Sequence, residues 1–497
     1  MIKILSSGQI KELDAYTIEH EPIASIDLME RACQAFVQWF TGRFDASKRV
    51  GIVCGTGNNG GDGLGVARLL SDWGYPVSIW IVRGGQESAD FIKNLKRLPP
   101  KVMQFEILPD AAQDTFKTVD ILVDAIFGSG LARPIEGTYE KVVNGMNSAG
   151  RKIVSIDIPS GLFADQHTTG PTVCADYTVS FQLPKLGFLL PENERVVGQV
   201  EIVDIGLSKA FLKEVDSDHF MVDEKSAKRL LKERSKFSHK GNYGKALLIS
   251  GSFGKMGACV LAARAAMRAG TGLLTVHVPA AGYSIIQSTV PEAMASVDGS
   301  HNVFSVVPDL LDYDSIGIGP GIGKHADTVK AMGELLESYR EPMVFDADAL
   351  NILSENGELQ EKVPAFSVLT PHPGEFRRLV GEWTDDFDKL SKGRSLAKRL
   401  NTVVVLKGAH SMIFDPGGKV YFNSTGNPGM ATGGSGDVLT GILTGLLAQS
   451  YLPLEATLLG VFLHGLAGDK AASDLGKASM IASDIIEYLP QAFKRLS

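Results

Sequence analysis

The sequence predicts an α/β fold made of two doubly wound domains. Short apolar runs rich in Val and Ile alternate with helical stretches. Glycine-rich turns follow those runs, and the alternation pauses once near the middle of the 497-residue chain. In the first half RVGIVCG, PVSIWIV, VDILVDAIFG, KIVSIDIPSG and DYTVSFQLP read as buried strands, with GLGVARLLSDWG and GTYEKVVNGMNSAG as helices between them. Ser7 to Phe44 has helical periodicity and is expected to form an N-terminal helical cover. After QVEIVDIG, residues from about Ser208 to Gly244 are charged and carry no strong strand signal. A second series follows: KALLISG, GLLTVHVP, SIGIGPG, PMVFDADAL, FSVLTPH and TVVVLKG, with closing helices around Leu458 to Gly468 and Ile481 to Leu489. The halves share a grammar but no repeat period, so two fused domains are expected, over residues 1–215 and 222–497.

Composition narrows the function. A hydrophobic content of 44% with 21% charged residues describes a globular protein with ample core. The net charge of −8 argues against a broad surface for nucleic acid or anionic membrane. Anionic ligands must then be held locally, by backbone amides and a few cations. Cys33, Cys54, Cys174 and Cys259 are scattered without metal-like spacing, which suits a reducing compartment. The N-terminal residues lack a signal-peptide run, and a cytoplasmic location is expected, with small-molecule partners and homo-oligomeric assembly.

Directly after RVGIVCG, Gly55, Gly57 and Gly60 satisfy the spacing of a dinucleotide-binding turn. The acidic ribose ligand usual after the second strand is absent, because that strand ends in Val82-Arg83-Gly84. A hydride-transfer domain is therefore disfavoured, while a phosphate-bearing ligand fits. Asp124 and Asp157 sit at two further strand ends, so Asn59, Asp124, Asp157 and Ser160 are expected to converge. Neutral oxygens with one carboxylate suit a monovalent cation, and several carboxylates would suit a divalent one. The alternative is that these are cap and turn residues.

GNNGGDG, VDAIFGSG and DIPSG, in this order, resemble the NAD(P)H-hydrate epimerase domain of the YjeF N-terminal family, over roughly Ile4 to Lys213. The resemblance implies a substrate loop of Asn58, Asn59, Gly60, Gly61 and Asp62. It implies a second loop of Gly128, Ser129, Gly130, Leu131, Ala132, Arg133 and Pro134, with Asp157 contacting substrate as a candidate proton-transfer group. It also implies potassium (K+) held by Asn59, Asp124 and Ser160, and Lys185 matches a lysine the family often carries. Some relatives use this fold as a non-catalytic scaffold; the Asn, both Asp and the Ser present here argue against that.

In the second half, GNPGMATGGSGD (Gly426 to Asp437) precedes an apolar helix. Closely spaced glycines let backbone N–H groups converge on an anion, and the helix beginning near Gly436 adds its dipole. Asp437 beside that cradle suggests a base activating a hydroxyl; the alternative is an N-cap. GSFGKMGA, GIGPGIG, FDADALN, TPHPGEF, LKGAH and NPGMATGGSGD together resemble the ribokinase-like superfamily, specifically its ADP/ATP-dependent NAD(P)H-hydrate dehydratase branch. This implies that Ala258, Gly321, His372 and Asp437 contact the hydrated nicotinamide. Lys407, Gly408, Ala409, His410 and Ser411, with Asn427, Gly433, Gly434, Ser435 and Gly436, would hold adenine nucleotide. Glu375 would serve Mg2+, and His372 stands where sugar kinases usually have Asn.

These resemblances imply one repair activity. Hydrated NADH or NADPH carries a hydroxyl at C6 of the ring; phosphorylation by ADP or ATP makes it a leaving group, and elimination restores the dinucleotide. Epimerisation by the first domain lets a dehydratase specific for the S form consume both epimers. The competing expectation is a vitamin or pyrimidine kinase fused to a non-catalytic binding module.

Overall fold

The computed structural model describes residues 1–107 and 112–497. They divide into two units: Lys3–Ser217 with Asp385–Phe387, and Met1–Ile2 with Asp218–Thr384 and Asp388–Ser497. Strands form where the apolar runs predict them, because residues buried on both faces suit a covered parallel sheet.

Among the described residues of the first unit, seven strands form one sheet. The order is Met103–Glu106, Val77–Ile81, Val50–Cys54, Ile121–Ala125, Lys152–Ile156, Tyr177–Phe181, Gln199–Val203, parallel throughout. The chain builds outward from Val50–Cys54 to one edge, then resumes on its other side with Ile121–Ala125. At that reversal the two following loops part and open a crevice. The predicted helical cover is two helices, Ser7–His20 and Ser25–Thr41; Met29, Cys33, Phe36 and Phe40 of the second pack into the core with Ile52 and Ile79.

The glycine turn opens a helix, as its spacing predicts, and the substrate loop that the resemblance implies over Asn58 to Asp62 is the first turn of that Asn58–Asp72 helix, capped by Gly57. Its glycines serve close packing of helix on sheet. A Cβ on Gly60 would lie 1.8 Å from the Gly55 carbonyl oxygen, and one on Gly63 would lie 2.6 Å from Ala125 Cβ. The helix therefore starts closer to the sheet than any side chain permits.

In the second unit a parallel stretch runs Met294–Val297, Leu273–Val278, Lys245–Ile249, Ser315–Ile318, Met343–Phe345, Val368–Leu369, Val403–Leu406. Met412–Phe414 and Val420–Asn423 follow as antiparallel strands. His219–Val222 pairs parallel to Val420–Asn423. That strand lies in the segment read as lacking one; at four residues, with mixed burial, it has too little apolar alternation to stand out. Here the order reverses between Lys245–Ile249 and Ser315–Ile318, and Ser250 to Gly254, Gly319 to Gly323, Asp346, His372 and Lys407 all follow carboxyl ends of strands.

The Ser435–Ala448 helix is buried from Val438 onward. Its small residues permit this. A Cβ on Gly441 would stand 2.0 Å from the Ala262 carbonyl oxygen, so the Met256–Arg268 helix approaches backbone to backbone.

Candidate active sites

The first crevice is a cavity of about 470 Å³. Asn58, Asn59, Asp62, Gly128, Ser129, Gly130, Leu131, Asp157 and Lys185 line it, as do Asp14 and Tyr139, which the motifs did not flag. Gly60 and Gly61 instead face the packing of their helix, and Ala132, Arg133 and Pro134 are exposed outside the lining.

Behind the lining, the fully buried Asp124 accepts hydrogen bonds from Ser155 Oγ at 2.8 Å, Ser160 N at 2.8 Å and Ser160 Oγ at 2.6 Å. Burial pushes its carboxyl up, against these donors. Ser160 Oγ also accepts from Phe127 N at 2.8 Å, which ties the loop after Ile121–Ala125 to the DIPSG turn. Asn59, 7% exposed, lies against Gly128, and its amide nitrogen has no hydrogen-bond partner among the described residues. An amide whose oxygen and nitrogen exchange by a half-turn, one carboxylate, a hydroxyl and nearby loop carbonyls match the donor set of a monovalent cation.

Asp157 has φ of +65°, an uncommon backbone for a non-glycine residue, which turns its carboxylate toward Lys185 and the cavity. Lys185, 1% exposed, pairs with it and donates to Ser180 Oγ at 2.5 Å. Phe181 N adds a donor to Asp157 at 3.2 Å. Asp14 is pushed up to about 6, by burial and then by Asp157. Asp62 is raised further, by burial and by Asp157, Asp14 and Asp90.

The second cavity, about 660 Å³, is lined by His372, Glu375, Lys407, Gly408, Ala409, Ser411, Asn427, Ser435, Gly436 and Asp437. Asp346 and His464 line it too, and neither was singled out from the sequence. Gly434 caps the Ser435–Ala448 helix at φ +93°, with no side-chain cap, so Asp437 lies in its first turn and is not the N-cap. The cradle thus keeps its first amides free of capping side chains, as anion binding needs. A Cβ on Gly436 would stand 3.2 Å from Lys407 Nζ, so glycine leaves the ammonium in contact with the cradle.

Lys407 donates to Asp346 at 2.7 Å and lies 4.0 Å from Glu375. Asp346 also accepts from Thr440 Oγ1 at 2.7 Å. Burial would raise its carboxyl, but Lys407 and these hydrogen bonds hold it below the usual value. Asp437 is pushed up to about 7, by burial first and then by the Asp346 charge, against Lys407.

His372 and Glu375 form a capping box on the Pro373–Val380 helix: His372 N donates to Glu375 Oε2 at 2.9 Å, and His372 Nδ1 accepts from Gly374 N at 3.0 Å. Burial and Lys407 lower the His372 pKa, so the ring is neutral, with its proton on Nε2, a donor. Among the described residues no group of three or more His, Cys, Asp or Glu is arranged to hold a metal.

His464, from the Pro453–Leu475 helix, approaches the Ser435 carbonyl at 3.0 Å and is lowered to about 4 by burial. Asp469 accepts from Gly426 N at 2.9 Å and Asn427 Nδ2 at 3.0 Å, fixing the glycine-rich loop. His410, Gly433 and Gly434 lie outside the lining; His410 turns to the Asn423 carbonyl at 3.2 Å. Ala258 and Gly321 also lie outside it, side by side at the strand reversal: a Cβ on Gly321 would be 3.4 Å from Ala258 Cβ. Lys255, beside them, pairs with Asp348 at 3.2 Å, a carboxylate whose charge reaches Asp437.

A strand-reversal crevice with carboxylates around a buried lysine in one unit, and a cavity where Asp437 stands beside Lys407 at a glycine-rich helix start in the other, mark a two-domain α/β enzyme. A family model described as NAD(P)H-hydrate dehydratase matches residues 246–491, and one described as YjeF-related protein N-terminus matches residues 25–187. The chain is 37% identical to a bifunctional NAD(P)H-hydrate repair enzyme of Moorella thermoacetica, over 99% of this chain and 97% of that one. The same description belongs to relatives in Thermofilum pendens (35% identical, covering 100% and 97%) and Escherichia coli (34%, covering 93% and 88%). This chain belongs to the bifunctional NAD(P)H-hydrate repair enzyme family. Its second unit resembles a Bacillus subtilis ADP/ATP-dependent NAD(P)H-hydrate dehydratase co-crystallised with ATP and Mg2+. That likeness has 31% identity and a TM-score of 0.50, over 56% of this chain and 99% of that chain.

Proposed function

We propose that the two units, over about 1–215 and 222–497, carry out successive steps of one repair: the first epimerises hydrated NADH and NADPH at C6, and the second dehydrates the S epimer using ADP or ATP. The observation that carries the dehydratase assignment is Asp437, half-buried, raised to about 7, and placed in the first turn of a helix that has no side-chain cap, beside the Lys407–Asp346 pair.

A carboxyl at that value is a competent base near neutrality. Asp437 takes the proton of the C6 hydroxyl as its oxygen attacks the terminal phosphoryl group. Amides of Gly433 to Gly436 and the Lys407 ammonium meet the charge that develops on the phosphoryl oxygens. The ring nitrogen then expels phosphate, and loss of the C5 proton restores the double bond. Neutral His372 donates from Nε2 to the substrate, while Ala258 and Gly321 leave room for the ring where the strands part. Lys407 to Ser411 and Asn427 to Gly436 seat the nucleotide, with ADP giving AMP and phosphate. Glu375 would hold Mg2+ with nucleotide oxygens, and the metal supplies charge neutralisation there.

In the first unit Asn58, Asn59, Asp62 and Gly128 to Leu131 would enclose the hydrated ring, with Asp157 contacting it. Asn59, Asp124 and Ser160 would hold K+, which supplies a fixed charge joining the two loops. Phosphorus analysis after turnover tests the dehydratase reading: free phosphate and restored dinucleotide are expected, and a stable phosphate ester would identify a kinase instead.

A further inference from the structure

The first cavity holds three carboxyl groups in three environments, and the difference assigns work among them. Asp157 is engaged by three donors, from Lys185, Ser180 and Phe181. Asp62 is raised by burial and by the charges of Asp157, Asp14 and Asp90, and its carboxyl makes no side-chain hydrogen bond among the described residues. Asp14 differs from both. It projects from the Ser7–His20 helix, lines the cavity half-buried, accepts no hydrogen bond from a described residue, and faces both Asp157 and Lys185. Lys11, one turn earlier, lines the same wall. A carboxyl group raised by burial and a neighbouring anion, yet within the field of an ammonium, can both hold and release a proton.

We propose that Asp14 is the proton donor to the C6 hydroxyl during epimerisation, with the Lys185-held carboxylate of Asp157 receiving the proton of the returning water. The assignment rests on the epimerase reading above. The Asp14 O–H bond breaks and its proton goes to the C6 oxygen. The C6–O bond breaks, oxygen leaves as water, and the N1 electron pair forms an iminium bond to C6. Water then adds to the opposite face, the pair returns to N1, and the proton shed by the new hydroxyl passes to Asp157. Transfer of that proton to Asp14 through solvent restores the starting state.

The test is steady-state epimerisation of separated hydrates by the full-length protein, its Asp14→Asn and Asp14→Glu variants, and calorimetric binding of the hydrate to each. Asp14→Asn is expected to lower kcat by roughly a hundredfold or more while leaving KM within a few-fold. The Glu variant should recover part of the loss. Wild-type kcat should fall as pH rises through about 6, the limb that Asp14→Asn lacks. An Asn variant within about threefold of wild type in kcat would overturn the assignment. So would an Asn variant that no longer binds hydrate and is not restored by Glu, since Asp14 would then only shape the cavity. Wild-type protein without epimerisation would overturn the underlying reading as well, a result separate from any comparison of variants.

Discussion

Asp437 is a carboxyl group raised from 3.8 to about 7 by burial and by Asp346, and this has two consequences. As a base it works only when ionised, so dehydration should fall as pH drops through about 7. Asp437→Asn should abolish turnover while calorimetry still detects nucleotide; full activity in that variant would exclude Asp437 as the base. The second consequence concerns stability. A carboxyl whose folded pKa exceeds its unfolded one binds more proton when folded, so its charge destabilises the fold as pH rises from the unfolded value and does so fully above the folded one. Asp437→Asn should therefore melt higher than wild type at mildly alkaline pH, by no more than about 4 kcal/mol at roughly 1.4 kcal/mol per unit. The difference should vanish in acid, where both states are protonated. An equal melting temperature at alkaline pH would mean that Asp437 is solvated.

Glu375 separates fold from function at the same scale. Gln fills the third position of a capping box as Glu does, so Glu375→Gln should leave stability within about 1 kcal/mol. It should nonetheless weaken Mg2+-dependent turnover, measured as a raised Mg2+ requirement. An unchanged requirement would leave Glu375 as a cap alone. The motifs exposed Asp437, His372 and Glu375 because each sits in a cluster of glycine or proline. Asp346, His464 and Asp14 gave no such signal. His464 and Asp14 lie inside ordinary helices, and the burial that makes Asp346 informative is a property of packing.

Secondary elements were legible wherever burial on both faces produced continuous apolar runs, as in Val50–Cys54 and Val403–Leu406. His219–Val222 and Met103–Glu106 escaped because they are short and lack such runs; the latter is exposed along its length. The loop that the resemblance implies over Asn58 to Asp62 is helical here, because the glycines of GNNGGDG let a helix touch a strand. The Ser435–Ala448 helix uses glycine the same way, and Gly441→Val should test it. Its side chain would meet the Ala262 carbonyl, so a loss of about 1–3 kcal/mol is expected in chemical unfolding, with dehydration falling because the helix carries Asp437. Wild-type stability in that variant would contradict the close approach.

At the scale of the whole molecule, the fold class and the family were legible because six motifs of the second half and three of the first fall in a fixed order. The positions of Ala258 and Gly321 beside the Lys255–Asp348 pair were not, since only the strand reversal joins segments far apart in sequence. If one chain both epimerises and dehydrates, Asp157→Ala should leave dehydration of the S epimer intact and strand the R epimer. Unchanged consumption of R by that variant would favour a binding role for the first unit.

Joint epimerisation and dehydration by one chain is measured as recovery of dihydronicotinamide near-ultraviolet absorbance from a mixture of R and S hydrates, given the purified protein, K+, Mg2+ and ADP or ATP. Full recovery from both epimers is expected, with AMP and phosphate as the co-products when ADP is supplied; no recovery with either nucleotide would contradict the account.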